Sequence, residues 1–383
     1  MAKVIIVANT DYFFLSHRKA IGARAISDGY EVIVAAKATD PAKVAEIQQM
    51  GARYIDLPGN PTGRNLMQEL STFRFLSRLY RKEHPDVVHH VGVKNVLWGS
   101  LAAKAVRVPG VLNAVCGLGV MFNMPLTRTA KMILRFIRFG ASRKNALMLF
   151  QNTEDRELFQ EYGIVDDKDC LFAKGSGVDL EEYAYTPPLP HDKTIIAFSG
   201  RMVEDKGVKV LVEAASLLKE KYGDSLEFRL CGGLSTNPNA LSAQWLAEHC
   251  DGSYIRWMGN RTDMVEMLTQ CDIMAFPSYY REGVPKAVIE ATAIGRPIVT
   301  TDSVGCRDTV DEGINGFLVP PRDAQALADA IEKLHLNPEM RLDMGRASRR
   351  KAEKEFDIRE VVDLHSSAYK SLIENSYKRK GGL

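Results

Sequence analysis

A chain of 383 residues with 45% hydrophobic and 26% charged residues is long enough for two domains with real cores, and its composition excludes disordered and fibrous classes. No apolar run approaches the ~20 residues that cross a bilayer, and the six cysteines (Cys116, Cys170, Cys231, Cys250, Cys271 and Cys306) lack metal-ligand or disulfide spacing. A cytoplasmic protein with reduced thiols and neither signal peptide nor spanning helix is expected. The net charge of +2 conceals an asymmetry: residues 1–185 hold 24 Lys+Arg against 19 Asp+Glu, the remainder 26 against 29, and no carboxylate occurs between Asp86 and Glu154.

In chain order, the β-branched runs "KVIIVAN", "EVIVAAK", "RYIDLP", "DVVHHVG", "GVLNAV" and "NALMLFQN" alternate with amphipathic segments at 16–28, 64–83, 95–107 and 126–143. A second series follows, "TIIAFSG", "LEFRLCG", "SYIRWMG", "CDIMAFPS", "RPIVTTD" and "GFLVP", with helical patterns at 206–220 and 286–294. Strict alternation of strand and helix predicts parallel sheets covered on both faces, here an α/β protein of two Rossmann-like domains, 1–185 and 186–383, facing an interdomain cleft. The break is expected in "YAYTPPLPHDK" (183–193), where three prolines continue neither helix nor central strand. Of the last helical patterns (323–335, 338–356 and 358–377), the final one packs on the second domain or crosses back to the first.

In open parallel sheets ligands bind beyond the strands' carboxyl ends, so polar loop residues there carry the chemistry. The stretch "REGVPKAVIE" follows such a strand and places Glu282 and Glu290 around Gly283, Val284, Pro285 and Lys286. Pro285 suits a helix start, whose free amides and partial positive charge suit a phosphate. Eight residues at helical rise put the two glutamates at most roughly 12 Å apart, a span that fits a nucleotide sugar with ribose at Glu290 and hexose at Glu282. Upstream, "SGRMVEDKG" sets Arg201 at a strand's end and Lys206 five residues on, a fork and a point charge able to neutralise a departing diphosphate. Taken singly, each pair also reads as ordinary solvated residues.

Together these stretches resemble a known family. "EGVPKAVIE" is similar to the E-x7-E element, and "GRMVEDKG" to the G-R-x4-K-G element, of family 4 retaining glycosyltransferases of the GT-B fold, and the similarity continues through 295–323. The resemblance implies transfer of a sugar from a nucleotide sugar, with UDP the expected nucleotide, with retention and without metal or cofactor. By position it gives the donor's phosphates to Arg201, Lys206 and the Gly283–Lys286 amides, the hexose to Glu282 and the ribose to Glu290. The leaving phosphate oxygen would help deprotonate the acceptor. The one D-x-D, Asp167 to Asp169, reads as a solvated turn.

In the first domain, "DYFFLSHRKAIGARAISDGYEVIVAA" and residues 91–122 resemble the subgroup that extends undecaprenyl-diphosphate-linked glycans with N-acetylgalactosamine or galactose at the cytoplasmic membrane face. That likeness implies a polyprenyl-diphosphate glycan as acceptor, met by His17, Arg18 and Lys94, with other glycan-assembly enzymes as partners. His17 and Arg18 also read as a packed and a solvated helix start. Cys116 stands where many relatives carry a histidine, and His89 or His90 is the alternative imidazole. Two basic faces, Arg128, Lys131, Arg135 and Arg138 on one helix and Arg74, Arg78 and Arg81 beside Phe73, Phe75 and Tyr80 on another, suit an anionic membrane surface better than a nucleic acid. Two other readings are a GT-B nucleotide-sugar epimerase and a non-catalytic nucleotide-sugar-binding component of a glycan assembly complex.

Overall fold

The computed structural model describes all residues except 59–65, 123, 191, 236, 238 and 381–383. Its first sheet comprises β1 (Lys3–Thr10), β2 (Glu31–Lys37), β3 (Arg53–Asp56), β4 (Val87–Val91), β5 (Gly110–Val115), β6 (Ala146–Phe150) and β7 (Cys170–Phe172), all parallel in the order β3-β2-β1-β4-β5-β6-β7. A second sheet comprises β8 (Thr194–Ser199), β9 (Leu226–Cys231), β10 (Ile255–Gly259), β11 (Ile273–Phe276), β12 (Ile298–Thr301) and β13 (Gly316–Val319), also parallel, in the order β10-β9-β8-β11-β12-β13. In both sheets the chain winds outward from a central strand and then starts again on its other side. The switch points are the β1/β4 and β8/β11 pairs.

The central strands are apolar on both faces because helices cover both. Val4 to Ala8 are wholly buried, as are Ile196 to Phe198 and Ile273 to Ala275. The covering helices of the first unit are α1 (Asp11–Ser27), α2 (Pro41–Gln49), α3 (Leu66–Glu83), α4 (Val93–Val106), α5 (Arg128–Ala141) and α6 (Thr153–Glu161). The second has α7 (Val208–Tyr222), α8 (Ala243–His249), α9 (Met264–Thr269), α10 (Lys286–Ile294), α11 (Ala324–Leu336) and α12 (Pro338–Glu355), and the chain continues as α13 (Ile358–Lys380). Side-chain oxygens at Thr10, Asp40, Thr127, Asn152, Ser242 and Asp323 cap six of these helices. Thr10 explains why α1 starts five residues before its apolar periodicity is visible.

Two expectations are corrected. The compact units divide at Ser176/Gly177 rather than at 185/186, because the proline-rich segment begins only after the chain has joined the second unit. There Arg349 holds the Leu180 and Tyr183 carbonyls and Arg296 holds that of Thr186. The first sheet also has a seventh strand, β7, whose three residues are too short for any alternation to register. The C-terminal segment from Ile358 returns to the first unit, where Tyr369 and Leu372 of α13 are buried and Asn145 donates to the Leu372 carbonyl (2.8 Å).

Candidate active site

At the carboxyl ends of β8 and β11 two loops are stitched together. After β8, Met202 and Val203 anchor the first loop in the core, and residues 204–206 form a single 3-10 turn ahead of α7. The Asp205 carbonyl of that turn accepts the amides of Tyr279 and Tyr280 (3.0 and 3.1 Å) and the Ser278 hydroxyl (3.3 Å) from the second loop. Gly207 closes the turn at φ +78°, so near the Pro277 carbonyl that a Cβ would lie 2.0 Å from its oxygen. Only glycine permits that approach.

This stitching brings Lys206 and Glu282 together across 76 residues of sequence: Lys206 Nζ donates to Glu282 Oε1 at 2.5 Å. The same oxygen accepts the Ser278 hydroxyl at 2.9 Å, and the ammonium lies 5.2 and 5.6 Å from the ring centres of Phe276 and Tyr280. With side chains only 13% and 10% exposed, each charge depends on the other in a setting that screens poorly. The Ser278 backbone is itself fixed, its carbonyl taking the hydroxyls of Thr301 and Ser303 from the end of β12. Gly305 (φ +80°) lies against the Gly283 carbonyl, where a Cβ would come within 1.8 Å, and so sets the path of residues 282–283.

Four residues beyond Glu282, α10 begins at Lys286 with Pro285 as its N-cap and no side-chain cap. Gly283, Val284 and Pro285 are buried, and α7 likewise starts without a side-chain cap after Gly207. Two helices thus open uncapped at neighbouring strand ends, each with first-turn amides that lack intrahelical partners. One turn into α10, the buried Glu290 accepts Lys286 Nζ (2.8 Å) and the Tyr183 hydroxyl (3.1 Å) on the same oxygen, leaving its second oxygen without a partner among the described residues. Arg201 is exposed at the end of β8, and its guanidinium forms no hydrogen bond or ion pair among the described residues. Cations and amides for an anion, flanked by two carboxylates for hydroxyl groups, can hold a phosphorylated polyol. Ser278, Tyr183 and Asp205 were not singled out in the sequence. The first two carry residue types common in any loop, and Asp205 acts through its backbone.

The first-unit candidates fare differently. Arg18 is 1% exposed and points into the interior, donating to the His17 carbonyl (2.7 Å), the Ser176 hydroxyl (3.3 Å) and the Cys116 sulfur (2.9 Å). The expectation that it meets an acceptor is corrected: Phe14, Arg18, Ile21 and Ala25 share the inward stripe of α1. His17 is half-buried, stacked on Phe13 (4.3 Å) with Nδ1 against the Ser16 hydroxyl (2.6 Å). Lys94, at the start of α4, pairs with Glu69 (2.5 Å), which also accepts Trp98 Nε1. His89 and His90 are buried in β4 and bound to Tyr369, and to Tyr80 and Asn113, so neither serves as an alternative reacting imidazole. Burial lowers the pKa of both, that of His90 to about 4. Asp167–Asp169 forms a 3-10 turn on the surface of the first unit.

All seven arginines and lysines of the basic faces are exposed, but the two helices differ. On α3, Tyr80 is buried, with its hydroxyl on His90, and Phe73 and Phe75 are half-buried, so none of the three rings expected beside Arg74, Arg78 and Arg81 is exposed. Tyr80 belongs to the core beneath the helix, and the two phenylalanines pack against it. On α5 the cations Arg128, Lys131, Arg135 and Arg138 do have exposed apolar neighbours.

Two parallel sheets of the same winding order are the architecture of the GT-B glycosyltransferases. A superposition on a solved structure of Anabaena Alr3699/HepE in complex with UDP and glucose gives a TM-score of 0.75 at 16% identity, covering 97% of this chain and 99% of that one. Two family models match the sequence, that of the glycosyl transferases group 1 over residues 181–351 and that of the glycosyl transferase 4-like proteins over residues 3–152, and the chain belongs to the glycosyltransferases that they describe. It is 26% identical over 347 residues to the N,N'-diacetylbacillosaminyl-diphospho-undecaprenol alpha-1,3-N-acetylgalactosaminyltransferase of Campylobacter jejuni subsp. jejuni, covering 86% of this chain and 89% of that one. It is also 23% identical over 321 residues to the UDP-Gal:alpha-D-GlcNAc-diphosphoundecaprenol alpha-1,3-galactosyltransferase of Escherichia coli, covering 81% and 82%.

Proposed function

We propose that this glycosyltransferase moves a hexose or N-acetylhexosamine, best N-acetylgalactosamine or a related sugar, from a UDP-sugar to a glycan carried on polyprenyl diphosphate. The transfer retains anomeric configuration, uses no metal, and takes place at the cytoplasmic face of a membrane that the basic helices of the first unit meet. The names of the two relatives support the lipid-linked acceptor. The observation that carries the donor assignment is the Lys206–Glu282–Ser278 cluster, held beside the uncapped starts of α7 and α10.

In this reading the donor diphosphate lies over those helix starts. Arg201, Lys206 and the first-turn amides of α10 take up the negative charge that grows as the bond from the anomeric carbon to the phosphate oxygen breaks. Glu282 accepts hydrogen bonds from hexose hydroxyls once Lys206 shares its charge with the phosphate, and the unpartnered oxygen of Glu290 accepts from the ribose. The acceptor hydroxyl forms the new bond on the face that the phosphate leaves, and its proton passes to the departing phosphate oxygen.

A transfer assay with membrane-extracted polyprenyl-diphosphate glycan, a panel of UDP- and GDP-sugars, and EDTA tests this directly. The expected result is incorporation of one sugar, from a UDP donor, into the lipid fraction. Incorporation only from GDP-sugars, only with added metal, or only into water-soluble acceptors would each overturn the corresponding part. No incorporation from any donor would overturn the whole.

A further inference from the structure

The outward face of α5 combines two features that the sequence pattern left mixed. Ala130, Leu134, Ile137 and Ala141 are buried, so the helix has already spent one apolar stripe on the core. Met132, Phe136 and Phe139 nevertheless stand 50%, 50% and 62% exposed. At 100° per residue these three fall within about 60° of one another, on the side opposite the buried stripe. Arg128, Lys131, Arg135 and Arg138 fill the next ~80°. Single exposed apolar side chains are ordinary, but three in register on successive turns form a continuous strip.

We infer that α5 lies flat on an anionic bilayer, with Met132, Phe136 and Phe139 inserted below the headgroups while the four flanking cations remain among them. The inference rests on the membrane-facing part of the proposed function and adds how the contact is made: an apolar wedge beside a charge stripe. Charge identifies the occupant. The chain has no Asp or Glu between Asp86 and Glu154, so four basic side chains on this helix attract an anionic surface and repel a second copy of the same face. Lys104 of α4 adds a cation at the strip's C-terminal end, its Nζ lying 4.1 Å from the centre of the Phe139 ring. An ion-pairing surface alone has no use for exposed Met and Phe, whereas an interfacial helix needs both kinds of side chain. Among the described residues no helix is long and apolar enough to cross a membrane, so the contact is one of lying on the surface.

The test is co-sedimentation of the full-length protein with phosphatidylcholine vesicles, with and without phosphatidylglycerol, at low salt and at salt high enough to screen surface charge. Three variants accompany the wild type: Phe136→Ser with Phe139→Ser; Arg128, Lys131, Arg135 and Arg138→Ser; and Phe136→Trp. All these positions are exposed, so thermal melts should match the wild type. The wild type should bind anionic vesicles and keep part of its binding at high salt, and the Phe-to-Ser pair should lose at least about tenfold in partitioning, most of all at high salt. In Phe136→Trp, the emission of the added indole, taken as the difference from the wild type, should shift to the blue and be quenched by lipids brominated on their chains. If the Phe-to-Ser pair binds like the wild type while the charge variant is released, the wedge falls and the membrane face stands. Absence of vesicle binding by the wild type, or binding to RNA or protein in its place, overturns both.

Discussion

At the residue scale the candidate site turns on how differently its two cations after β8 are held. Lys206 is clamped by a carboxylate and two rings, whereas Arg201 is exposed and unpaired among the described residues. Removing Lys206 strands Glu282 in a poorly solvated position, a loss of up to about 3–5 kcal/mol for a buried pair. Lys206→Ala should therefore lower both turnover, by at least about a hundredfold, and the melting temperature. Arg201→Ala should lower turnover with an unchanged melt, and Glu282→Gln, which keeps shape and the Ser278 bond, should lower turnover more than stability. Steady-state kinetics and calorimetry on the three variants check this together. Equal melting losses for Arg201→Ala and Lys206→Ala would contradict the arrangement. The charged members of this cluster were legible in the sequence because Lys, Arg and Glu at strand ends point to few chemistries. Ser278 and Tyr183 were not, since nothing local marks one hydroxyl among many as the one facing a carboxylate. The position of Arg18 was misread for the same reason in reverse, because a helix-start arginine looks solvated until Cys116, just after β5, and Ser176 close around it.

At the element scale, the strand-to-helix turn after β8 is held by one position that cannot carry a side chain. Gly207 has both a positive φ and the Pro277 carbonyl where its Cβ would stand. Gly207→Ala should force the two loops apart, destabilising by well over the ~1 kcal/mol of a left-handed alanine and moving Lys206 away from Glu282. Gly252, at φ +77° with nothing within 4 Å of where a methyl would stand, is the control: Gly252→Ala should show the backbone penalty alone and full activity. Equal effects at the two sites in denaturant titrations would show that the Pro277 contact is unimportant. The elements themselves were largely legible. Both six-strand series and the bounds of α10 follow from β-branched runs broken by helical periodicity, because a strand buried on both faces has few other ways to be written. What escaped was set by distant partners. β7 exists through its pairing with β6, and the inward turn of Tyr80 is decided by His90 on the next strand. The division at Ser176 depends on arginines from the end of α10 and from α12 gathering the segment after it.

For the whole molecule, the distribution of buried histidines makes the two units differ in their response to acid. His89, His90 and His365 of the first unit are all buried, and burial lowers the pKa of each, to about 4 for His90 and about 3 for His365. The sign is common to the three: the folded unit keeps the rings neutral, while the unfolded chain takes up protons below the ordinary value of 6.5. Their contribution to stability is complete above 6.5 and is lost progressively as pH falls towards 4 and then 3. Among the described residues of the second unit, the half-buried His335 is lowered too, again by burial. The carboxylates Glu227 and Asp251 lie below their ordinary values, despite burial, through hydrogen bonds to Arg229 and Arg256 and to Lys219 and backbone amides, and they lose their contribution only at pH below about 4. Between pH 6.5 and 4.5 the first unit should therefore weaken ahead of the second. The seam between β4 and α13 should open earliest, because His89 donates to or accepts from Tyr369 across it and its ring centre lies 5.3 Å from that of His365. Hydrogen exchange at pH 7 and pH 5, corrected for intrinsic rates, should show protection lost in peptides covering Val87–Val91 and residues 361–373 while Leu226–Cys231 holds. His365→Asn should flatten that dependence, and a loss spread evenly over both sheets would show that the buried imidazoles do not govern it.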